Sequence, residues 1–214
     1  MLIVDNIRLR YGKEPILEGI TFSAAPGEVI GLVGANGAGK SSLIEILAAV
    51  MPADSGTVKL FDVPIEARIR YLKMIGFVPQ SIALTMHLSG RDNLYQWGAL
   101  KGLSKNQLKA AVERAADLCD LTSFWDKPIY RQSGGMQRRV NLAAGLIGDP
   151  KLLLLDEPTA GLDRDSRERI IEAIKKIKND DVIVVMTNHY EPEQDILADR
   201  QYMLNEGVLC ERSS

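Results

Sequence analysis

The chain has 214 residues, enough for one well-packed domain and too few for two of ordinary size. Its 46% hydrophobic and 25% charged residues are those of a globular protein, and a formal charge of -2 leaves no basic surplus for phosphate-backbone binding, so nucleic acid is not expected as the main partner. The N-terminus lacks the basic run and apolar core of a signal peptide, and no apolar stretch approaches the ~20 residues that cross a bilayer.

Residues 2–9 alternate as a strand does, and Tyr11-Gly12 follows. Residues 18–24, with Ile20 and Phe22 on one face, predict a second strand that ends at the Pro26-Gly27 turn. The apolar run Val29–Val33 fits a buried strand; a glycine-rich turn comes next, and helical spacing takes over from Ser42 to Ala48. Residues 57–61 and Ile75–Val78 are further strands. From about Leu88 to Leu146 the spacing is helical, broken at Gly102-Leu103-Ser104 and around Lys127-Pro128, with Ser104 placed to cap the helix that runs towards Asp120.

Residues 152–155 are four leucines in a row, as a strand buried on both faces requires. Ile170, Ile174 and Ile177 share one face of a helix whose other face carries Arg167, Glu168 and Lys175, and residues 182–186 form one more buried strand. The basic run Lys175, Lys176 and Lys178 reads as a solvated helix face. Apolar strands alternating with helices argue for an α/β domain with a mainly parallel sheet covered on both sides, the central helical stretch forming a side lobe. Cys119 and Cys210 stand far apart in no metal-ligand spacing and read as reduced thiols.

Residues 34–42, Gly-Ala-Asn-Gly-Ala-Gly-Lys-Ser-Ser, match G-x-x-x-x-G-K-[ST] between a strand and a helix, the pattern of a P-loop. Glycines such as Gly37 and Gly39 let the backbone wrap closely and aim its N–H groups, Asn36 among them, at phosphate oxygens, and the helix N-terminus adds its dipole there. Lys40 would reach the β- and γ-phosphates, the Ser41 hydroxyl would ligate Mg²⁺, and Ser42 would donate to a phosphate oxygen. A P-loop needs a carboxylate at the end of a neighbouring buried strand, and Asp156-Glu157 after the leucine run supplies it. Asp156 would hold the magnesium, directly or through water, and Glu157 would polarise an attacking water.

Ser133-Gly134-Gly135, followed by Met136-Gln137-Arg138-Arg139 about twenty residues before the carboxylate strand, resembles the LSGGQ signature of ATP-binding cassette (ABC) proteins. Other markers fall in order around it. Tyr11 resembles the aromatic that stacks on adenine, Gln80 the Q-loop glutamine, which also reaches the metal, Asp163 the D-loop aspartate, and His189 the switch histidine. The chain departs from the usual signature at Gln132, where leucine is usual, and at Met136, where glutamine is; Asn188 stands before the switch histidine in place of Thr or Ser.

The resemblance covers nearly the whole chain. It implies a P-loop NTPase core with an N-terminal antiparallel β subdomain, a single nucleotide-binding domain over residues 1–214, and a helical subdomain at about 86–146. It further implies ATP and Mg²⁺ as ligands, with Glu157, His189 and Gln80 acting in hydrolysis and Ser133 and Gly135 touching the γ-phosphate of a second subunit. A homodimer or paralogous heterodimer would close around two ATP molecules, linked through Asp163, at the cytoplasmic face of a membrane-spanning subunit on a separate chain. The stretch from Leu88 to Leu94, the SGGM variant and Ala160-Gly161-Leu162-Asp163 resemble exporter subunits. The alternatives are a soluble ABC ATPase acting in assembly and a regulatory module without turnover. The chain ends shortly after the expected last strand, so no further domain is expected, and nothing in it names a transported substrate.

Overall fold

A computed structural model describes residues 1–178, 181–188 and 195–212. The first sheet is antiparallel. It is built from β1 (Leu2–Tyr11), β2 (Glu14–Ala24), β4 (Ser55–Leu60) and β5 (Val63–Pro64) in the order β2-β1-β4-β5. Leu2, Val4, Ile7 and Leu9 of the first strand point inward, and a register shift between Val4 and Ile7 accommodates Asn6, whose φ is 49°. β2 begins four residues earlier than its apolar alternation indicates, because Glu14 and Pro15 pair with β1 through backbone alone at an exposed end.

The second sheet holds β3 (Val29–Val33), β6 (Ile75–Val78), β7 (Leu152–Asp156), β8 (Ile183–Thr187), β9 (Arg200–Asn205) and β10 (Val208–Arg212). Its order is β10-β9-β3-β8-β7-β6, parallel throughout except for the β9–β10 hairpin. The leucine run in β7 is explained by the pleat. Leu152 and Leu154 enter the apolar cluster shared with the first sheet and helix α1 (Lys40–Leu47), whereas Leu153 and Leu155 enter a second cluster on the opposite face.

That second cluster is roofed by α3 (Gly90–Leu100), α4 (Lys105–Leu118), α5 (Gly134–Leu146) and α6 (Arg164–Lys178). Ser104 does cap α4, in a capping box with Gln107. Helix α2 (Arg68–Met74) has no counterpart in the sequence reading. It buries only Tyr71, whose hydroxyl donates to the Leu47 carbonyl at 2.8 Å, so no apolar period marks it.

Strand β6 and helix α5 approach unusually closely. A methyl group on Gly76 would stand 2.0 Å from the Gly145 carbonyl oxygen, and one on Gly145 would stand 2.5 Å from Val78 Cγ2. Neither glycine has a positive φ, so absence of a side chain, and no special backbone geometry, is what the contact needs.

Cys210 lies exposed on β10, whereas Cys119 is buried at the end of α4. Burial pushes the Cys119 thiol from 9.0 up to about 12, with Arg139 and Lys176 opposing. The folded chain therefore keeps a proton that the unfolded chain gives up. This contribution to stability is complete below pH 9.0 and is lost as pH rises towards 12. In Cys119→Ala the fall of the urea midpoint over that alkaline range should be shallower than in the wild type. Parallel curves for the two proteins would show that the thiol does not titrate as described.

Candidate functional site

The loop after β3 is shaped by its glycines. Gly34 passes so close to β9 that a Cβ would meet the Leu204 carbonyl oxygen at 2.3 Å, and Gly39, at φ 98°, forms the N-cap of α1. Lys40 is buried, and its Nζ donates to the carbonyls of Gly34 and Ala35, at 2.8 Å each. Burial lowers its pKa, while Glu157 and Asp156 nearby pull it back up. A cation held over a loop of backbone groups, beside two carboxylates, forms a site for an anion that arrives with its own cation.

Ser41 Oγ donates to Asp156 Oδ1 at 3.1 Å, which brings the hydroxyl and the carboxylate at the end of β7 within reach of one ion. Asp156 and Glu157 are both buried. Glu157 adopts the left-handed conformation, φ 49°, which turns the chain away at the end of the strand. Gln80 Nε2 donates to Glu157 Oε2 at 2.8 Å. Hard oxygen donors few in number suit Mg²⁺, which keeps several waters and shares its sphere with phosphate oxygens, so Ser41 and Asp156 fit that ion, while Gln80 meets this group through Glu157.

Sequence reasoning missed Thr187. Its Oγ1 donates to Asp156 Oδ1 at 2.7 Å and accepts from the Glu157 N–H at 3.0 Å, so one hydroxyl orients both acids. The signal was present: Thr187 is the polar last residue of an apolar strand and lies in register opposite Asp156. Beside it, the buried Asn188 donates from Nδ2 to Thr159 Oγ1 at 3.1 Å. His189 lies outside the described residues.

Tyr11 sits at the rim of the loop, 52% exposed, with its hydroxyl 3.2 Å from Ser42 Oγ. Its ring is thus available beside the phosphate loop. Asn36 and Gly37 are exposed on the loop itself.

The remaining predicted residues form a second group. Ser133 caps α5, its Oγ accepting from the Met136 N–H at 3.3 Å. Gly135 is buried against Ser166 of α6, where a Cβ would stand 2.2 Å from Ser166 Oγ. Asp163 accepts from the Ser166 N–H at 3.0 Å and from its hydroxyl at 2.8 Å, and these bonds lower its pKa. Among the described residues, Ser133, Gly135 and Asp163 make no hydrogen bond to the phosphate-loop cluster. Gln132, in place of a leucine, is buried and donates from Nε2 to the Lys127 carbonyl at 2.8 Å. Met136 is packed against the cluster beneath α5.

A family model described as ABC transporter matches residues 17–160. The linearmycin resistance ATP-binding protein LnrL of Bacillus subtilis (strain 168) is 39% identical over 210 residues, which are 98% of this chain and 68% of that protein. Nod factor export ATP-binding protein I of Sinorhizobium fredii is 37% identical over 205 residues, 95% of this chain and 60% of that protein. The chain thus spans about two thirds or less of the length of these relatives. Among solved structures, a dimeric ATP-binding cassette in a post-hydrolysis state bound to ADP and Pi superposes with a TM-score of 0.87 at 24% identity, covering 100% of this chain and 98% of that one. The structure of cbiO1 from Clostridium perfringens, described as part of the ABC transporter complex cbiONQ, gives 0.87 at 25% identity, covering 98% and 86%.

Proposed function

The chain belongs to the ABC transporter family, and from that premise we propose that it is an ATPase subunit that drives export through a membrane-spanning partner. The observation that carries this reading is the separation of the predicted site residues into two groups. One gathers Lys40, Ser41, Asp156, Glu157 and Gln80 around the glycine loop, where phosphate would sit; the other presents Ser133 and Asp163 at the exposed heads of two helices. Two chains related by a two-fold axis would give each cradle the other chain's Ser133 and Gly135, completing two sites at once.

In that assembly Lys40 neutralises the β- and γ-phosphates and Tyr11 stacks on the adenine. Ser41 and Asp156, with Gln80, hold magnesium, which supplies charge neutralisation on the phosphates when bound. Glu157, aligned by Thr187 behind it and Gln80 in front, takes the proton of the attacking water. His189 would hold the γ-phosphate. The single domain would then work as a core that bears the nucleotide, with the helical subdomain at about 86–146 passing changes at the nucleotide on to the partner.

Support for a membrane partner comes from the groove beside Gln80, lined by Leu72, Phe77, Pro79, Ala83, Trp97 and Lys101. It opens where the strand that leads to Gln80 meets the helical lobe, so a segment seated there would sense the nucleotide state. No described helix is long and apolar enough to cross a membrane. In this reading the crossing belongs to a separate polypeptide, and this chain sits at its cytoplasmic face. The names of the relatives, resistance and export ATP-binding proteins, favour export over the assembly ATPase. The test is to tag the chain in its native cells, solubilise membranes gently and identify what copurifies. A polytopic membrane protein at near-equal stoichiometry is the expected result; recovery from the soluble fraction alone would overturn the transport role and leave the ATPase role standing.

A further inference from the structure

We propose that Arg138 is a positioning residue for hydrolysis: from the helix headed by Ser133 it holds the main chain of Gln80, and through Gln80 it sets the amide that meets Glu157. The proposal rests on the ATPase reading above and adds a residue which that reading does not use.

The geometry begins with one face of α5. Arg138, Asn141 and Gly145 follow one another at helical spacing, and all three meet the strand and segment that carry Gln80. Gly145 receives β6 at Gly76. Asn141 is buried, accepts from the Ala83 N–H at 3.0 Å and donates to the Pro79 carbonyl at 3.4 Å. Arg138 donates from Nη1 to the Gln80 carbonyl. The segment from Pro79 to Ala83 is therefore pinned along its length by α5, and Arg138 holds the residue that matters for chemistry.

From there the chain of contacts is short. Gln80 lies on the surface, where nothing in its own burial would fix its side chain, yet its Nε2 meets Glu157 Oε2 at 2.8 Å. Holding the backbone fixes the point from which the side chain reaches Glu157, so the amide has only its own torsions to settle. Arg138 is also close enough to Glu157 and Asp156 that both acids favour its charged form against the cost of burial. A guanidinium suits this place, because it stays ionised and offers several donors in a fixed fork.

The consequence is mechanical. The helix whose first turn carries Ser133 and Gly135 also carries, one turn further on, the group that aligns Gln80 on Glu157. A subunit in which α5 is well seated has its own hydrolytic carboxylate in register, and one in which α5 is displaced does not.

The experiment compares the wild type with Arg138→Gln, Arg138→Lys, Gln80→Ala and the double variant Arg138→Gln/Gln80→Ala, each purified together with whatever membrane partner accompanies it. A positioning role predicts that Arg138→Gln lowers kcat by about ten- to hundredfold with KM for ATP unchanged, since a small misplacement of the reacting groups has that effect. Arg138→Lys should recover part of the loss. The double variant should be no slower than Gln80→Ala alone, because both changes break one chain of contacts. Losses that multiply in the double variant, or a raised KM with kcat retained, would overturn the proposal, as would wild-type kcat in Arg138→Gln. A wild-type preparation that turns over no ATP would overturn the underlying ATPase reading instead, and is recognised before any variant is compared.

Discussion

In Glu157→Gln, ATP turnover is expected to fall by about a hundredfold or more, with ATP binding retained. The substitution keeps the size and planarity of the side chain and removes its capacity to take a proton from water. The backbone at this position, in its left-handed conformation, is held by Thr187 through the N–H and does not depend on the carboxylate. Gln80 can donate to an amide oxygen as it does to the acid. One negative charge fewer beside the γ-phosphate favours bound ATP, so the ATP-loaded dimer should accumulate because nothing consumes the ligand that binds it. Single-turnover kinetics and ATP-dependent size exclusion measure the two effects together. A variant that hydrolysed ATP at the wild-type rate would remove Glu157 from the role of base.

The largest effect on stability is expected at Gly76. Alanine there would drive its methyl to 2.0 Å from the Gly145 carbonyl oxygen, a backbone atom inside a helix that cannot swing aside as a side-chain end can. Strand and helix must part, which opens the packing of Val78 and Leu153 against α5, and Gly76→Ala should cost about 3 kcal/mol or more. Gly134→Ala is the control. Its position has nothing within 4 Å, and alanine favours the first turn of a helix over glycine, so its urea midpoint should match or exceed that of the wild type. Equal midpoints for Gly76→Ala and the wild type would show that β6 and α5 are not packed as described.

Part of this site could be read from the chain because its chemistry is contiguous. The phosphate loop places glycines, lysine and serine within nine residues, between a strand and a helix, and the four leucines of β7 announce the carboxylates that follow. Thr187 was legible in principle but is an ordinary strand residue until the register sets it opposite Asp156. Arg138 could not be found in that way. Its partner, Gln80, stands 58 residues away and meets it only because two glycines let α5 lie against β6. The same limit applies to the fold. Ser104 marks its helix by a local capping pattern, whereas α2 is held by one buried tyrosine and carries no periodic signal.

Gly135 and Ser166 have a further consequence for timing. The head of α5 bears on α6 with no room for a methyl between them, and Ser166, the residue it bears on, is fastened by two hydrogen bonds to Asp163. Ser133 and Asp163 therefore belong to one stiff corner of the molecule, with no hinge between them. In the proposed dimer a neighbouring subunit would not engage the first and meet the second at leisure: both surfaces would arrive in a single stroke and leave in one. Any sequence of events at the shared nucleotides must be scheduled elsewhere, in the parts of the chain that are free to move separately.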